Sequence, residues 1–363
     1  FFCVNNLRLE PLALFQKLTV NLIFDQYVIC DRVHSSLRLL LFYYKDMLTR
    51  ILFTAKAQRV LSPPPPEGRT FFLILCAFLF LNSCSSDNRQ SATDNRQQPN
   101  VILILADDLG YGELGAYGQK KIETPHLDAL RASGMLFTQF YSGSAVCAPA
   151  RSVLMTGQHT GHTHVRGNDE WSERGDVWSF EAMQNDPNLE GQRPIPDSIF
   201  TLAEALKANG YATACIGKWG LGAPNTEGVP TQQGFDLFVG YNCQRQAHTY
   251  YPVHLWKNEE RLLLNNELVA PHNTPLPEGT DPYDEASYAA YRQNDYAPDV
   301  MQREALQFIE NNQEQPFFLY YPTPIPHLAL QAPERWVDYY HKKFGDEEPY
   351  TGSRYFPCRY PKA

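Results

Sequence analysis

From Pro99 onward, the hydrophobic and polar positions follow the pattern of an α/β fold. Residues 100–106 form an uninterrupted apolar, β-branched run, which indicates a strand buried on both faces of a parallel sheet. Residues 211–216 and 317–321 predict two further strands of this kind. Because helical segments separate these strands, the pattern predicts a doubly wound, mixed or parallel sheet flanked by helices.

The segments between the strands carry helix signals. Thr124 is an N-cap candidate with Pro at the next position, and Gly134 is the stop signal of that helix. The segment that starts at Thr201 has a capping-box pattern, and Gly210 ends the helix that it opens. Residues 299–311 place apolar side chains on one helical face.

Two connections are long enough to build a binding site. They cover residues 157–197 and 219–296, and loops of that length in a compact domain usually form part of a functional site.

The N-terminal residues differ in texture from the rest. Residues 1–68 have no sustained period, and we interpret them as a dubious extension: either an unusual leader or, as we favour, upstream nucleotide sequence translated in an over-long reading frame. Residues 69–84 combine an arginine, a short apolar run and small residues, the pattern of a secretory signal peptide. Residues 85–98 form a polar linker.

The end of the signal segment suggests a lipid anchor. Leu81-Asn82-Ser83-Cys84 resembles an imperfect bacterial lipobox, in which Cys84 would be lipidated. Ordinary cleavage with an incidental Cys84 is the alternative. We expect an exported protein of the periplasm, or a lipoprotein tethered to the outer membrane through Cys84.

Composition and charge narrow the function classes. The net charge is −9 and the isoelectric point is near 5.6, so the chain lacks the basic surface that a general nucleic-acid binder needs. The eight cysteines include no CxxC pair, which argues against a zinc ribbon. Cys215 and Cys243 could form disulfides or could be small buried residues.

Two adjacent carboxylates follow the first strand. In open α/β sheets, ligands bind beyond the carboxyl ends of the strands, and Asp107 and Asp108 lie at that end. Such a pair suits a hard divalent cation, Ca²⁺ or Mg²⁺. Taken alone, it is explained as well by a solvated turn.

The main chemical motif is Cys147-Ala148-Pro149-Ala150-Arg151, with Thr156-Gly157 beyond it. As a plain thiol at a helix N-terminus, Cys147 could be a low-pKa nucleophile. However, the stretch from Pro99 onward resembles the type I, formylglycine-dependent sulfatases, which are arylsulfatase-like members of the alkaline phosphatase superfamily. Besides the cysteine motif, three segments carry the resemblance: Asp107-Asp108-Leu109-Gly110-Tyr111-Gly112, Thr124-Pro125-His126-Leu127-Asp128 and Gly217-Lys218-Trp219.

The resemblance implies an alkaline-phosphatase-like fold and a sulfuric ester hydrolase acting on sulfated saccharides or aryl sulfates. A sulfatase-maturing enzyme would oxidise Cys147 to formylglycine (3-oxoalanine), whose hydrate attacks the sulfur and later releases the sulfate by elimination. The metal, Ca²⁺ with Mg²⁺ as an option, would be bound by Asp107, Asp108 and the residue made from Cys147.

The resemblance also implies roles for four further side chains. Arg151 would orient formylglycine, and Lys218 would neutralise a sulfate oxygen. His327 would lie near the leaving group, although a lone histidine after a strand can be purely structural. His248 is a weaker candidate for the substrate pocket, and a surface position is the alternative for Lys218.

Two departures from the family pattern matter. Gly220 stands where many sulfatases have a histidine, and no segment matches the family's second Asp-Asn metal pair. We therefore expect residues 99–363 to be the N-terminal part of a catalytic domain whose C-terminal part is missing. The metal affinity should be reduced as a result. Two alternatives stay open: a phosphoester or phosphonate hydrolase of the same fold, and an inactive remnant that acts at most as a binding protein.

Overall fold

A computed structural model describes residues 2–4, 98–271, 276–328 and 330–345. The predicted signal segment with Cys84 lies outside these residues, as do most of the N-terminal extension and the linker up to residue 97. Among the described helices, none combines the length and the apolar character needed to cross a membrane.

Seven strands and six α-helices form the described part of the chain. The strands are β1 (Phe2–Val4), β2 (Asn100–Asp107), β3 (Ala212–Lys218), β4 (Leu237–Tyr241), β5 (His254–Lys257), β6 (Glu260–Leu263) and β7 (Phe317–Pro326). The helices are α1 (Pro125–Ser133), α2 (Cys147–Thr156), α3 (Phe180–Asn185), α4 (Leu202–Ala208), α5 (Ala297–Asn311) and α6 (Glu334–Phe344).

The strands form one mixed sheet in the order β1-β2-β7-β3-β4-β5-β6. The central strands β2, β7, β3 and β4 are parallel, whereas β1 pairs antiparallel with β2 at one edge and β5 and β6 are antiparallel at the other. Because β2, β7, β3 and β4 run in the same direction, their carboxyl ends lie along the same side of the sheet. The ligand is expected beyond these carboxyl ends.

The central strand β7 shows how the sheet is covered on both faces. Phe317, Leu319 and Tyr321 pack into a core with helix α5. Phe318 and Tyr320 point to the other face and pack with side chains of α2 and α4. Since alternate residues of a strand point to opposite faces, both sets are buried. Each such side chain contributes about 1.5–3 kcal/mol of transfer free energy. The predicted doubly wound architecture is confirmed.

Most of the predicted elements are confirmed. The Thr201 hydroxyl accepts from the main-chain N–H of Glu204, and the Glu204 carboxylate accepts from the N–H of Thr201, which completes the capping box. Thr124 does precede α1, but its hydroxyl bonds Gly115 and Asp128 instead of capping the helix.

The long connection 219–296 contains more regular structure than the sequence analysis assigned to it. It holds β4 and the β5–β6 hairpin, which none of our predictions included. The hairpin turns at Asn258, whose φ of 54° lies in the left-handed region that asparagine tolerates.

The buried cysteines do not form disulfides in the described part of the chain. Cys215 and Cys243 are free thiols with no exposed surface. Of the two alternatives, the structure supports small buried side chains.

Candidate active site

Two of the predicted site residues end parallel strands, and a third follows one directly. Asp107 is the last residue of β2, Lys218 is the last of β3, and His327 follows β7, which lies between them. A register shift after Ala106 pairs Asp107 with Pro326, which brings the neighbouring His327 beside the β2 end. The carboxyl ends of three adjacent strands thus gather the three side chains.

Helix α2 brings Cys147 and Arg151 to the same place. Cys147 is its first residue, and Arg151 lies about one turn later on the same face. The main-chain N–H of Ala148 donates to Oδ1 of Asn168 at 2.9 Å. A side chain from the 157–197 connection therefore satisfies one of the free N–H groups at the start of α2.

Asp107 lies between two buried cations. The Nζ of Lys218 is 2.5 Å from Oδ2 of Asp107, and Nη2 of Arg151 is 3.3 Å from Oδ1. Nη1 of Arg151 also donates to the main-chain oxygen of Lys218 at 2.5 Å. Lys218 is also fully buried, which excludes the alternative that it is a surface lysine.

The charges of this cluster are strongly coupled. Burial by itself would raise the pKa of Asp107, but Lys218 and Arg151 outweigh it and hold that pKa well below its usual range. Asp107 therefore stays ionised at neutral pH. Lys218 and Arg151 place two cations near Cys147, which suits the binding of an anionic group of a substrate.

The thiol of Cys147 is not activated by its position at the helix N-terminus. Burial raises the pKa of Cys147, and the nearby Lys218 only partly offsets this effect. A plain thiol would stay protonated at neutral pH and would be a weak nucleophile. The raised pKa argues against the low-pKa alternative, and desolvation of the thiol is its largest cause.

Asp108 and His327 face each other across the site. Asp108 has a φ of 59°, in the left-handed region, and its Oδ2 lies 3.2 Å from Nε2 of His327. Nδ1 of His327 is 2.7 Å from the main-chain oxygen of Leu328, so it carries a proton. Burial, and then the charge of Lys218, lower the pKa of His327. A neutral ring then turns the lone pair of Nε2 toward the Asp108 carboxylate, and two acceptors at this distance repel unless a proton or a cation lies between them.

The side chains present fit a divalent cation. One ligand atom each from Asp107, Cys147 and His327 lie within 4.8 Å of one another, and Asp108 adds a carboxylate on the same side. Each carboxylate oxygen has a lone pair to spare beside its present partner. The oxygen atoms of the two carboxylates match the preference of Ca²⁺ or Mg²⁺.

His248 also reaches this cluster. It ends a short 3₁₀ helix, Gln246–His248, and its ring stacks on that of His327 with centroids 4.4 Å apart and planes 8° from parallel. All seven predicted site residues are therefore gathered at one end of the sheet.

Sequence reasoning missed a polar network in the long connections. Oε2 of Glu170 accepts from Nε2 of Gln192 at 2.7 Å and from Nε of Arg245 at 2.5 Å. The Arg245 guanidinium lies 5.0 Å from the ring centroid of Trp178, which is 62% exposed. Burial raises the pKa of Glu170, and Arg245 and Lys218 act against this rise. The only sequence signal was the length of the connections.

The chain is thus a mixed α/β domain of alkaline-phosphatase-like fold, with a cysteine, two cations and a carboxylate pair at its strand ends. Residues 99–355 match the sulfatase family, and the chain belongs to that family. The predicted family is confirmed.

Two curated relatives illustrate the similarity. The chain is 32% identical to N-acetylgalactosamine-6-sulfatase of Canis lupus familiaris over 252 residues, which are 65% of this chain and 41% of that protein. It is 40% identical to arylsulfatase A of Bos taurus over 143 residues, which are 39% of this chain and 25% of that protein. The chain thus spans less than half the length of the relatives that it matches.

A solved structure of Ps i-CgsB in complex with k-i-k-neocarrahexaose is 24% identical, with a TM-score of 0.49. The similarity covers 68% of this chain and 49% of that one.

Proposed function

We propose that this chain contributes the nucleophile side of a sulfatase active site and serves the hydrolysis of sulfate esters. The observation that supports it best is the convergence of Cys147 with the Asp107–Lys218–Arg151 cluster, at the strand ends where Asp108 and His327 face each other. The raised pKa of Cys147 adds a reason for conversion, since the unmodified thiol would be a weak nucleophile.

Formylglycine at position 147, made by a sulfatase-maturing enzyme, would supply a hydrated aldehyde as nucleophile and a route to release the sulfate. A divalent cation, Ca²⁺ in our proposal, would be held by Asp107, Asp108 and residue 147 and would polarise the sulfate oxygens.

Lys218 and Arg151 orient the reacting groups. Lys218 is the ammonium beside residue 147 and can donate a hydrogen bond to a sulfate oxygen while it stays paired with Asp107. Arg151 is fixed by Asp107 and by the main chain of Lys218, so its guanidinium holds residue 147 in a constant position relative to the sheet.

His327 and His248 form the wall on the leaving-group side. His327 is fixed through its Nδ1, so Nε2 is the ring atom that can exchange a proton with the departing alcohol. His248 stacks on it and keeps the ring in this plane. We assign His248 to substrate binding.

We propose a sulfated saccharide as the substrate. The exposed Trp178 beside Arg245 offers an aromatic surface next to a cation, which suits the apolar face of a sugar and its sulfate groups. The names of the relatives, among them an N-acetylgalactosamine-6-sulfatase, agree with this class.

Mass spectrometry of the peptide that contains Cys147 tests the proposal. After co-expression with a sulfatase-maturing enzyme, the peptide should lose the mass difference between a thiol and an aldehyde, and sulfate release from an aryl sulfate should accompany this change. Cys147→Ala should abolish release, whereas Cys215→Ala, which removes another buried thiol, should retain it. An unmodified thiol combined with hydrolysis of a phosphate ester would instead support the phosphoester alternative.

We also propose export and a lipid tether at Cys84. Metabolic labelling with a fatty acid tests this proposal: label should enter the wild-type chain and should be absent from Cys84→Ser. Equal labelling of both chains would contradict it.

A further inference from the structure

A glutamine side chain fills the space beside Gly220. Gly220 lies two residues after Lys218 and has a φ of 75°. A Cβ at this position would lie 1.6 Å from Nε2 of Gln244. The Gln244 amide therefore occupies the place that any side chain at position 220 would need.

The same amide is buried without a partner. Gln244 is 1% exposed, and within the described part of the chain neither its Nε2 nor its Oε1 makes a hydrogen bond. Buried polar groups are nearly always paired, because burial without a partner costs free energy. An amide with two unpaired atoms, packed against Gly220 two residues after Lys218, therefore indicates a polar ligand.

The main chain around this amide is held firmly. The main-chain N–H of Gln244 donates to Oε1 of Gln192 at 3.0 Å, and Nε2 of Gln192 donates to Glu170. Trp219, between Lys218 and Gly220, donates its main-chain N–H to Tyr241 at the end of β4. The amide is thus anchored next to the strand that carries Lys218.

We propose that Gln244 is a sulfate-binding residue and that its Nε2–H group donates to a sulfate oxygen of the substrate. This inference rests on the proposed function, because it assigns the ligand of the same site. It also accounts for Gly220: a side chain from 24 positions later in the chain fills the space beside it, and only glycine leaves room for that side chain.

The amide suits this task because the nearby charges are already engaged. Lys218 and Arg151 share the carboxylate of Asp107, so an entering sulfate gains from an additional donor that brings no charge of its own. A fixed neutral N–H aimed at an anion costs little reorganisation when the ligand binds.

Gln244→Met tests the proposal, since methionine keeps the approximate volume and removes the amide. The probe is inorganic sulfate, measured by titration calorimetry and as an inhibitor of aryl sulfate hydrolysis. We expect sulfate affinity and kcat/KM to fall about tenfold or more, the size of one hydrogen bond to an anion. The thermal midpoint should stay unchanged or rise, because an unpaired buried amide has been removed. A purely structural glutamine would instead lower it.

Gln233→Met is the matched control. Gln233 is also a fully buried glutamine with an unpaired Oε1, but its Nε2 donates to the main chain of Glu227, and it is not part of the site. Its sulfate affinity should equal that of the wild-type chain.

The outcomes separate this inference from the proposed function. If the wild-type chain binds sulfate but hydrolyses no sulfate ester, the proposed function fails and the loss of binding in Gln244→Met still supports the inference. If Gln244→Met binds sulfate within twofold of the wild-type chain, or if the wild-type chain binds none, the inference is overturned.

Discussion

Replacing Lys218 with methionine tests whether the buried ion cluster organises the strand ends. The ammonium lies 2.5 Å from Oδ2 of Asp107, which at an effective dielectric constant near 20 corresponds to about 7 kcal/mol of gross attraction. Most of this attraction is offset by the desolvation of both ions. Arg151 at 3.3 Å supplies about 5 kcal/mol in the same terms, and it remains in the variant.

The expected loss of stability follows from these values. Removing one member of a buried pair costs about 3–5 kcal/mol, since the other charge is left buried. Because Arg151 still pairs with Asp107, we expect Lys218→Met to cost about 3 kcal/mol, at the lower end of that range. Urea denaturation at neutral pH in EDTA measures it without a divalent cation at Asp107.

A double-mutant cycle separates charge from packing. Asp107→Asn with Lys218→Met should cost at least about 2 kcal/mol less than the two single changes together, because the double variant leaves no unpaired carboxylate. Asp107 has a depressed pKa, so its contribution is present above the ordinary value of 3.8 and is lost as the pH falls further. The difference in the free energy of unfolding between the wild-type chain and Lys218→Met should therefore become smaller below that pH.

Two results would refute this reasoning. One is a loss below about 1 kcal/mol for Lys218→Met, the range typical of an exposed ion pair. The other is strict additivity in the cycle. Either result would mean that Lys218 contributes little to the ionisation of Asp107.

Three further predictions concern the backbone, the carboxylate of Asp236 just before β4, and the metal. Gly240→Ala should cost at least about 3 kcal/mol in thermal unfolding, since its Cβ would lie 1.8 Å from the main-chain oxygen of Gly217. The control Gly118→Ala, where φ is 103° but the space is open, should cost only about 1–2 kcal/mol. Equal losses of stability in the two variants would contradict the steric argument. Burial tends to raise the pKa of Asp236, but hydrogen bonds from a lysine and from β3 lower it. Because 46% of this side chain is exposed, solvent screens the effect, and Asp236→Asn should cost about 0.5–1 kcal/mol by urea denaturation above pH 3.8. A difference in the free energy of unfolding that persists in stronger acid would count against this. Calcium at about 100 times its Kd should add about 2.7 kcal/mol to the stability of the wild-type chain. The same calcium concentration should stabilise Asp108→Asn much less. Equal shifts of the thermal midpoint in the two chains would argue against Asp108 as a ligand.

The sequence was sufficient for the parts of the molecule that depend on local pattern. The apolar runs identified β2 and the core of β7, and the Thr201 capping box identified the start of α4. The placement of Asp107 followed from a general rule, because ligands of open α/β sheets bind beyond the carboxyl ends of the strands. The resemblance to sulfatases added Cys147, Arg151, Lys218 and His327.

The remaining features depend on contacts between distant segments. The cap that Asn168 forms on α2 and the Glu170–Arg245 pair join residues 20 and 75 positions apart in the chain, and no local pattern encodes such a pairing. Likewise, the dipole of α2 can be read from the sequence, whereas the burial that raises the pKa of Cys147 cannot. Gly220 was visible as a departure, but the side chain that fills its place lies in another connection.

The capped helix α2 has a consequence for how this domain can change its substrate. Cys147 and Arg151 belong to one helix whose other side is embedded in the core with Ala148 and Met155, so the reacting groups move as one rigid body with the sheet. The connections 157–197 and 219–296 carry the walls instead. Exchanging segments of these connections between family members, with Asn168 retained, is therefore a direct way to test whether they set substrate selectivity independently of the residues on α2.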